Sequence, residues 1–303
     1  FAVVICAATF GDFMTAQLLD GNTLAKSIRQ RLRSVVAQWT KQGFRPPGLA
    51  VILVGDDPAS AIYVKGKRRD CEEVGVYSKA PRLDASIDQA ELAAHIDDLN
   101  ADPDIDGILV QSPLSAHHDE DRIIDRILPN KDVDGFHAYN IGRLALRRPT
   151  LRSCTPMGVM QMLDHIGTQY KGAHATIIGA SNHVGRPMGL ELLLAGVTVT
   201  TAHKFTTNTA EMARQADILV SAVGKPGLVP GDWVKEGATV IDVGITRGAN
   251  NKLYGDVEFE AAKARAGWIT PVPGGVGPMT RVALLQNTMQ AAASHLGITW
   301  TAL

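Results

Sequence analysis

The stretch Ala175-Thr-Ile-Ile-Gly-Ala-Ser-Asn-His-Val-Gly185 decides the fold. A short apolar run ends in a glycine-bearing turn, and a helical pattern follows directly. That order is the unit from which a parallel sheet with crossover helices is built. The turn, Gly179-x-Ser181-x-x-x-Gly185, departs from the G-x-G-x-x-G fingerprint, so its spacing alone also fits an ordinary βα turn. Its context adds weight: a strand before it, a helix after it, and another strand ending about twenty residues on. Such a turn offers backbone N–H groups and a helix N-terminus to a pyrophosphate.

Outward from this unit, strands are predicted near 174–179, 197–203, 217–224 and 239–245, with helices between the first three. Trp268 to Val272 reads as a last strand and Met279 to Leu296 as a long helix. This second series opens near Thr155-Pro156, read as a cap followed by Pro at the first helical position. An earlier series precedes it. Leu24, Ile28, Leu32, Val35, Val36 and Trp39 share one face of a helix over 23–42, closed by Gly43. Leu49 to Val54 is a strand, and Asp57-Pro58 opens a helix to about Val74. Ser86-Ile-Asp-Gln89 resembles a capping box, Asp106 to Gln111 is a strand, and a short helix follows near 119–128. The fold class is therefore α/β: two αβ domains, the second Rossmann-like with a mostly parallel sheet, and the active site in the cleft between them. The boundary falls in 141–155. The expected division is 14–150 plus 281–303 for the first domain and 151–280 for the second, with the final helix returning to the first.

Residues past the nucleotide turn carry chemistry. An NAD-preferring site places an acid at the end of the next strand to hold the ribose hydroxyl. Here that position reads His203-Lys204, with Thr206 and Thr207 close by, and Arg186 opens the helix. This basic set favours a 2′-phosphate, hence NADP; a solvated loop lysine is the plain alternative for Lys204. A second ligand loop is expected at Thr270-Pro-Val-Pro-Gly-Gly-Val-Gly-Pro-Met-Thr280, where three prolines and three glycines precede the last helix.

Catalytic candidates lie in the first series. Tyr63 and Lys67 are spaced i, i+4 and project from one helical face, within a basic cluster of Lys65, Lys67, Arg68 and Arg69 whose plain reading is a solvated face. Gln111 closes a strand, and ligands in open α/β sheets bind beyond the carboxyl ends of strands. Its alternative is a strand-end amide bonding a loop. Lys131-Asp-Val-Asp-Gly135 supplies two carboxylates but lacks the further oxygen ligands of an EF-hand. There is no G-x-S-x-G elbow, no H-E-x-x-H and no Walker A lysine pattern, and His117-His118 is an isolated loop pair, so no metal is expected.

Bulk properties are unremarkable for an enzyme. The chain has 303 residues, a formal charge of −1 and 45% hydrophobic residues, enough for one large or two ordinary domains. That balance points to no nucleic-acid partner and no membrane association. Cys6, Cys71 and Cys154 form neither a metal pattern nor a disulfide framework, which fits a cytoplasmic location. Residues 1–13, FAVVICAATFGDF, are apolar without a basic start; they are expected to be a non-native leader, with Met14 as the natural start.

Taken together, the segments resemble the bifunctional methylenetetrahydrofolate dehydrogenase/cyclohydrolase family. The resemblance runs from about Leu18 to the final helix. It rests on Pro58-Ala-Ser-Ala-Ile-Tyr-Val-Lys-Gly-Lys67, Gly107-Ile-Leu-Val-Gln111, Lys131-Asp-Val-Asp-Gly-Phe136, Gly179 to Pro187, Val223-Gly-Lys-Pro-Gly227 and Thr270 to Thr280, in family order. It implies that Tyr63, Lys67, Gln111 and Asp134 line a folate site. Asp134 would hold the amino-pyrimidine edge of the pterin, Tyr63 would lie against its ring, and Lys67, positioned by Gln111, would serve the cyclohydrolase step. Gly179, Ala180, Ser181, Arg186 and Ile245 would hold NADP, joined by His203 and Lys204 from the residue reading. Pro271, Gly274 and Gly275 would border the folate. A homodimer acting on tetrahydrofolate derivatives is implied as well. Two departures stand out: Ser112-Pro-Leu-Ser115 where the family has Leu-Pro-Leu-Pro, and His183 where an aliphatic residue is common. The competing expectations are another two-domain NADP-dependent dehydrogenase of a small acid, which would call for an Arg clamp and a His, and a non-catalytic nucleotide-binding regulator.

Overall fold

The computed structural model describes residues 15–249 and 252–300. The leader expectation for 1–13 falls outside them. The first series comprises β1 (Gln17–Leu18), α1 (Gly21–Lys41), β2 (Gly48–Val54), α2 (Pro58–Val74), β3 (Tyr77–Lys79), β4 (Arg82–Leu83), α3 (Gln89–Ala101), β5 (Gly107–Val110), α4 (Glu120–Arg126) and α5 (Ala138–Ala145). The second comprises α6 (Cys154–His165), β6 (His174–Ile178), α7 (Gly185–Ala195), β7 (Thr198–Ala202), α8 (Thr209–Arg214), β8 (Ile218–Ser221), β9 (Thr239–Asp242), β10 (Thr246–Arg247), β11 (Leu253–Tyr254), α9 (Phe259–Lys263), β12 (Trp268–Ile269) and α10 (Val276–Leu296).

Two parallel sheets result. In the smaller, β2 is central: it pairs β3 along its first half, β4 along its second, and β5 on the other side. Every residue of β2 is buried, so it reads as a continuous apolar run rather than an alternating one. The larger sheet has the order β1-β12-β9-β8-β6-β7, all parallel. The first described strand lies in the second sheet: β1 pairs β12 through Gln17–Trp268 and Leu18–Ile269 before α1 leads to the first sheet. β10 and β11 form a small antiparallel hairpin off the end of β9.

One apolar core joins the sheets. It includes Val51, Leu53 and Leu109 from the smaller sheet, Ile177, Val220 and Ile241 from the larger, and Leu32, Met162, Met279 and Met289 from the helices. α10 lies against α1, α2 and α6. It is buried nearly all round, which suits a helix between two layers rather than on a surface.

Two predicted helix starts shift. The capping box of α3 is built by Asp88 and Glu91, not Ser86; Ser86 is taken up by the Asp84 carboxylate, which accepts from both its N–H and its hydroxyl. α6 begins at Cys154 with Ser153 as N-cap, two residues before the Thr155-Pro156 expectation. Thr155 instead faces α10 and shares a 2.9 Å hydrogen bond with the Thr280 hydroxyl. Asp57 does cap α2, accepting from the N–H of Ser60 at 2.7 Å, with Pro58 in the first turn where a missing N–H costs nothing.

Candidate active site

α2 carries Tyr63 and Lys67 one turn apart. The Lys67 Nζ donates to Gln111 Oε1 at 3.0 Å, and the Gln111 amide donates in turn to the carbonyl of Ser112 at 2.8 Å. Both ends of the Gln111 amide are therefore committed, which fixes which end meets the lysine. The Gln111 N–H bonds Ile52 O at 2.9 Å, so the residue is placed by the end of the small sheet. Burial pushes the Lys67 ammonium below its usual range; Asp134, Cys154 and Cys71 pull it back up and Arg281 pushes it down.

Asp134 sits on a loop built by its neighbour. The Asp132 carboxylate is buried and accepts from the N–H groups of Gly135, Phe136 and His137 and from Asn140 Nδ2 at 2.8–3.3 Å. Desolvation nevertheless raises its pKa. Gly135 has φ 77°, and a Cβ there would lie 2.4 Å from the Arg152 carbonyl carbon, so only glycine fits this turn. Asn287 of α10 donates to Val133 O at 2.8 Å and Arg152 O at 2.7 Å, and the Cys154 thiol donates to Val133 O. Of the two carboxylates read from Lys131-Asp-Val-Asp-Gly135, one is thus a scaffold and the other is left half-buried beside Lys67.

A cleft of about 770 Å³ opens on the other side of Tyr63. Tyr63, Ile245, Pro271, Gly274, Gly275 and Arg281 are on its wall; Lys67, Gln111 and Asp134 are not. The loop from Pro271 is also a tether. Asn22 N–H, in the first turn of α1, bonds Gly274 O at 3.1 Å, and a Cβ on Gly21 would lie 1.8 Å from Gly275 O. The glycines of this loop serve close packing onto α1 as well as openness toward the cleft.

The nucleotide turn leaves the carboxyl end of β6. Gly179 has φ 120°, and a Cβ on Gly185 would fall 2.0 Å from Gly179 O, so the turn is drawn as tight as backbone allows against the start of α7. Ser181 Oγ accepts from the N–H of Val184 and of Gly185, and Arg186 Nε donates to Ala180 O at 3.1 Å. Next to it, beyond β7, Thr206 Oγ1 accepts from the N–H of His203, and Lys204 lies over the Phe205 ring at 4.9 Å. The residues present fit a dinucleotide: a glycine cradle at a helix N-terminus, and exposed cations with no acid at the end of the adjacent strand. His183 packs its ring on Phe136 at 4.5 Å, linking this turn to the Asp134 loop.

Several contributors escaped the sequence reading. Arg281, Asn287, Asp242 and Asp256 carry no local motif. Arg281 forms an ion pair with buried Asp70 at 2.7 Å. Asp242, buried beneath the cleft wall, accepts from the N–H groups of Gly244, Asp256 and Val257, while Asp256 accepts from Ser221, Val223 and Lys225. This pair builds the turn that presents Ile245 and absorbs the Val223-Gly-Lys-Pro-Gly227 segment. The only sequence signal was the glycines: Gly244 and Gly255 each leave no room for a Cβ against the facing carboxylate.

The fold and site define an α/β enzyme in which a Rossmann-like part and a second part carrying α2 face one cleft, with Tyr63 on its wall. Two family models match: "Tetrahydrofolate dehydrogenase/cyclohydrolase, catalytic domain" over residues 19–134 and "Tetrahydrofolate dehydrogenase/cyclohydrolase, NAD(P)-binding domain" over residues 153–296. Among solved structures, the bifunctional FolD methylenetetrahydrofolate dehydrogenase/cyclohydrolase of Campylobacter jejuni is 46% identical, covers 92% of this chain and 99% of its own, and has a TM-score of 0.90. The 5,10-methylenetetrahydrofolate dehydrogenase of the silkworm Bombyx mori is 43% identical with 93% and 99% covered and a TM-score of 0.88. The Trypanosoma brucei dehydrogenase-cyclohydrolase, solved with NADP cofactor and inhibitor, is 36% identical with 93% and 99% covered and a TM-score of 0.90. The chain belongs to the tetrahydrofolate dehydrogenase/cyclohydrolase family. Neither the small-acid dehydrogenase nor the non-catalytic regulator is favoured beside that membership. Among the described residues, no helix is long and apolar enough to cross a membrane.

Proposed function

We propose that this chain oxidises 5,10-methylenetetrahydrofolate to the methenyl form with NADP and hydrolyses that product to 10-formyltetrahydrofolate. The observation that carries the reading is Lys67: a half-buried amine, pushed toward its neutral form, held by Gln111, beside a carboxylate and one turn from an exposed tyrosine on the cleft wall.

Bound NADP supplies the hydride acceptor. The protein's own contribution to that step is alignment of two rings across the cleft, with Tyr63 on one wall and the Pro271 loop and Ile245 on the other. Asp134 accepts hydrogen bonds from the amino-pyrimidine edge and sets the depth of the pterin. In the second step water adds to the methenyl carbon, the C–N bond to one folate nitrogen breaks, and one proton is released. Lys67 takes the proton from water as general base and returns it to the leaving nitrogen, releasing the net proton to solvent. Gln111 is a positioning residue for it. Gly179, Ala180, Ser181 and Arg186 hold the pyrophosphate and ribose, and His203, Lys204 and Arg186 receive the 2′-phosphate.

We assign 14–150 with 281–303 to the folate part and 151–280 to the nucleotide part, with two crossings: β1 joins the nucleotide part's sheet, and α10 packs on α6 as well as on α1 and α2. A cytoplasmic homodimer is the finer reading; free, buried Cys71 and Cys154 suit a reducing compartment. The direct test mixes protein, methylenetetrahydrofolate and NADP or NAD in parallel, following NADPH and methenyl-folate by absorbance. Absorbance rising with NADP and then decaying at the methenyl band supports both steps; no change with either cofactor contradicts the reading.

A further inference from the structure

Ser112 departs from the family's pattern, and both of its polar groups are engaged beside Gln111. Its backbone carbonyl accepts from the Gln111 amide at 2.8 Å. Its hydroxyl donates to the Glu120 carboxylate, at the first residue of α4. Both side chains are half-buried, and a hydrogen bond to a carboxylate is among the stronger kinds. α4 is itself tied down. Asp119 caps it, accepting from the N–H of Arg122 at 3.2 Å, and the Asp119 N–H bonds Gln89 Oε1 at 2.9 Å, at the start of α3. The Ile87 carbonyl, just before α3, accepts from Nε2 of His117 and of His118 at 3.1 and 3.0 Å. The loop between Gln111 and α4 is thus fastened at both ends.

The direction of the Gln111 amide decides what Lys67 can do. With Oε1 toward Lys67, the amide accepts an N–H and leaves the lone pair of the neutral amine free for water. Turned over, its NH2 would donate to that lone pair, and the amine could not act as a base. The two ends of an amide have nearly the same shape, so packing alone does not choose between them. The Ser112 carbonyl does, because it can only accept.

We propose that Ser112 and Glu120 form a clasp that holds the Ser112 carbonyl in place and so keeps the Gln111 amide in this one orientation. Both are then positioning residues for the hydrolysis, acting through Gln111 on Lys67. This rests on the reading of Lys67 as general base. An aliphatic side chain at 112 has no hydroxyl to offer Glu120, so the clasp belongs to this chain's own sequence. Its effect is bounded, because the Gln111 N–H stays bonded to Ile52 O whatever happens at 112.

The experiment measures methenyl-folate hydrolysis and NADP-dependent hydride transfer side by side in the parent, Ser112→Ala, Glu120→Ala, the double Ala variant, Ser112→Thr and Glu120→Gln. Each single Ala variant is expected to lower kcat for hydrolysis by ~3–10-fold, with KM for methenyl-folate within about twofold and the ratio of hydrolysis to hydride transfer down by ~3-fold or more. The double variant should lose no more than either single one, since all three remove the same bond. Ser112→Thr keeps a hydroxyl and Glu120→Gln an oxygen acceptor, so both should recover most of the rate. Hydrolysis at the parent rate in both Ala variants would overturn the proposal. So would losses that multiply in the double variant, or equal losses of hydrolysis and hydride transfer, which would mark a loop that only supports the fold. A parent that forms NADPH but leaves methenyl-folate unhydrolysed would instead contradict the reading of Lys67 on which the clasp rests.

Discussion

Lys67 Nζ and Gln111 Oε1 meet at 3.0 Å although 44 residues of chain separate them. The bond joins the middle of α2 to the end of β5 and gives a half-buried amine a neutral acceptor instead of a carboxylate. A carboxylate there would hold the ammonium charged; the amide orients it and leaves burial free to press it toward the neutral form.

Replacing Gln111 with Ala tests that role. Lys67 stays but loses its orientation, so methenyl-folate hydrolysis is expected to fall by ~10–100-fold, a part of what a positioned general base contributes. The KM for methenyl-folate should move much less than kcat. A KM effect with kcat intact would make Gln111 a binding group instead.

Asp134→Ala removes the proposed acceptor for the pterin edge. With donors left unpaired in the site, folate binding is expected to weaken by ~1–3 kcal/mol. NADP affinity should hold. Calorimetry on the two ligands separates these outcomes, and unchanged folate affinity would remove Asp134 from the binding role. Asp132→Ala is a different experiment: it leaves three backbone N–H groups without their acceptor and should cost stability first.

The division of labour in this loop shows how far the sequence could be read. The strand–turn–helix at 175–185, the Asp57-Pro58 helix start and the apolar face of α1 are local patterns, and each reappears in the structure. Which of two neighbouring carboxylates is scaffold and which is left beside Lys67 is not local: it depends on Asn140, on Asn287 and on the Gly135 turn against Arg152. The same holds for β1, whose two residues carry no periodicity and become a strand only because β12 offers an edge. A hydroxyl before a helical pattern fits a cap, but Ser86 is held by Asp84 only two residues before it, and Thr155 by Thr280, which lies far along the chain.

Cofactor choice rests on the basic edge of the nucleotide part. Arg186→Ala should raise KM for NADP far more than for NAD, since only NADP carries the 2′-phosphate. Steady-state kinetics with both cofactors checks this. A matched loss with each would mean that Arg186 serves the turn through its bond to Ala180 O rather than the phosphate.

Asp242 gives a pH signature in stability. Desolvation, with the neighbouring Asp256 charge adding to it, raises its carboxyl to about 6 against the downward pull of its backbone donors. A carboxyl whose folded pKa exceeds the unfolded one contributes stability in full below the unfolded value, near 3.8, and loses it as pH rises through about 6. Asp242→Asn has no such titration. The stability of the parent relative to this variant, from urea unfolding, should therefore fall between pH 4 and pH 6 with a slope of up to ~1.4 kcal/mol per pH unit. A flat difference would mean that burial leaves the Asp242 carboxyl at its unfolded value.

Lys67 is the group on which the proposed hydrolysis turns. In Lys67→Met the proton carrier is gone while Tyr63, Asp134 and the nucleotide turn remain. Methylenetetrahydrofolate and NADP are mixed with the variant, and the methenyl absorbance is followed to its end point. Methenyl-folate should accumulate, with its enzymatic hydrolysis reduced by ~100-fold or more and dehydrogenase activity surviving in part. Decay of the methenyl band at the parent rate would contradict the mechanism.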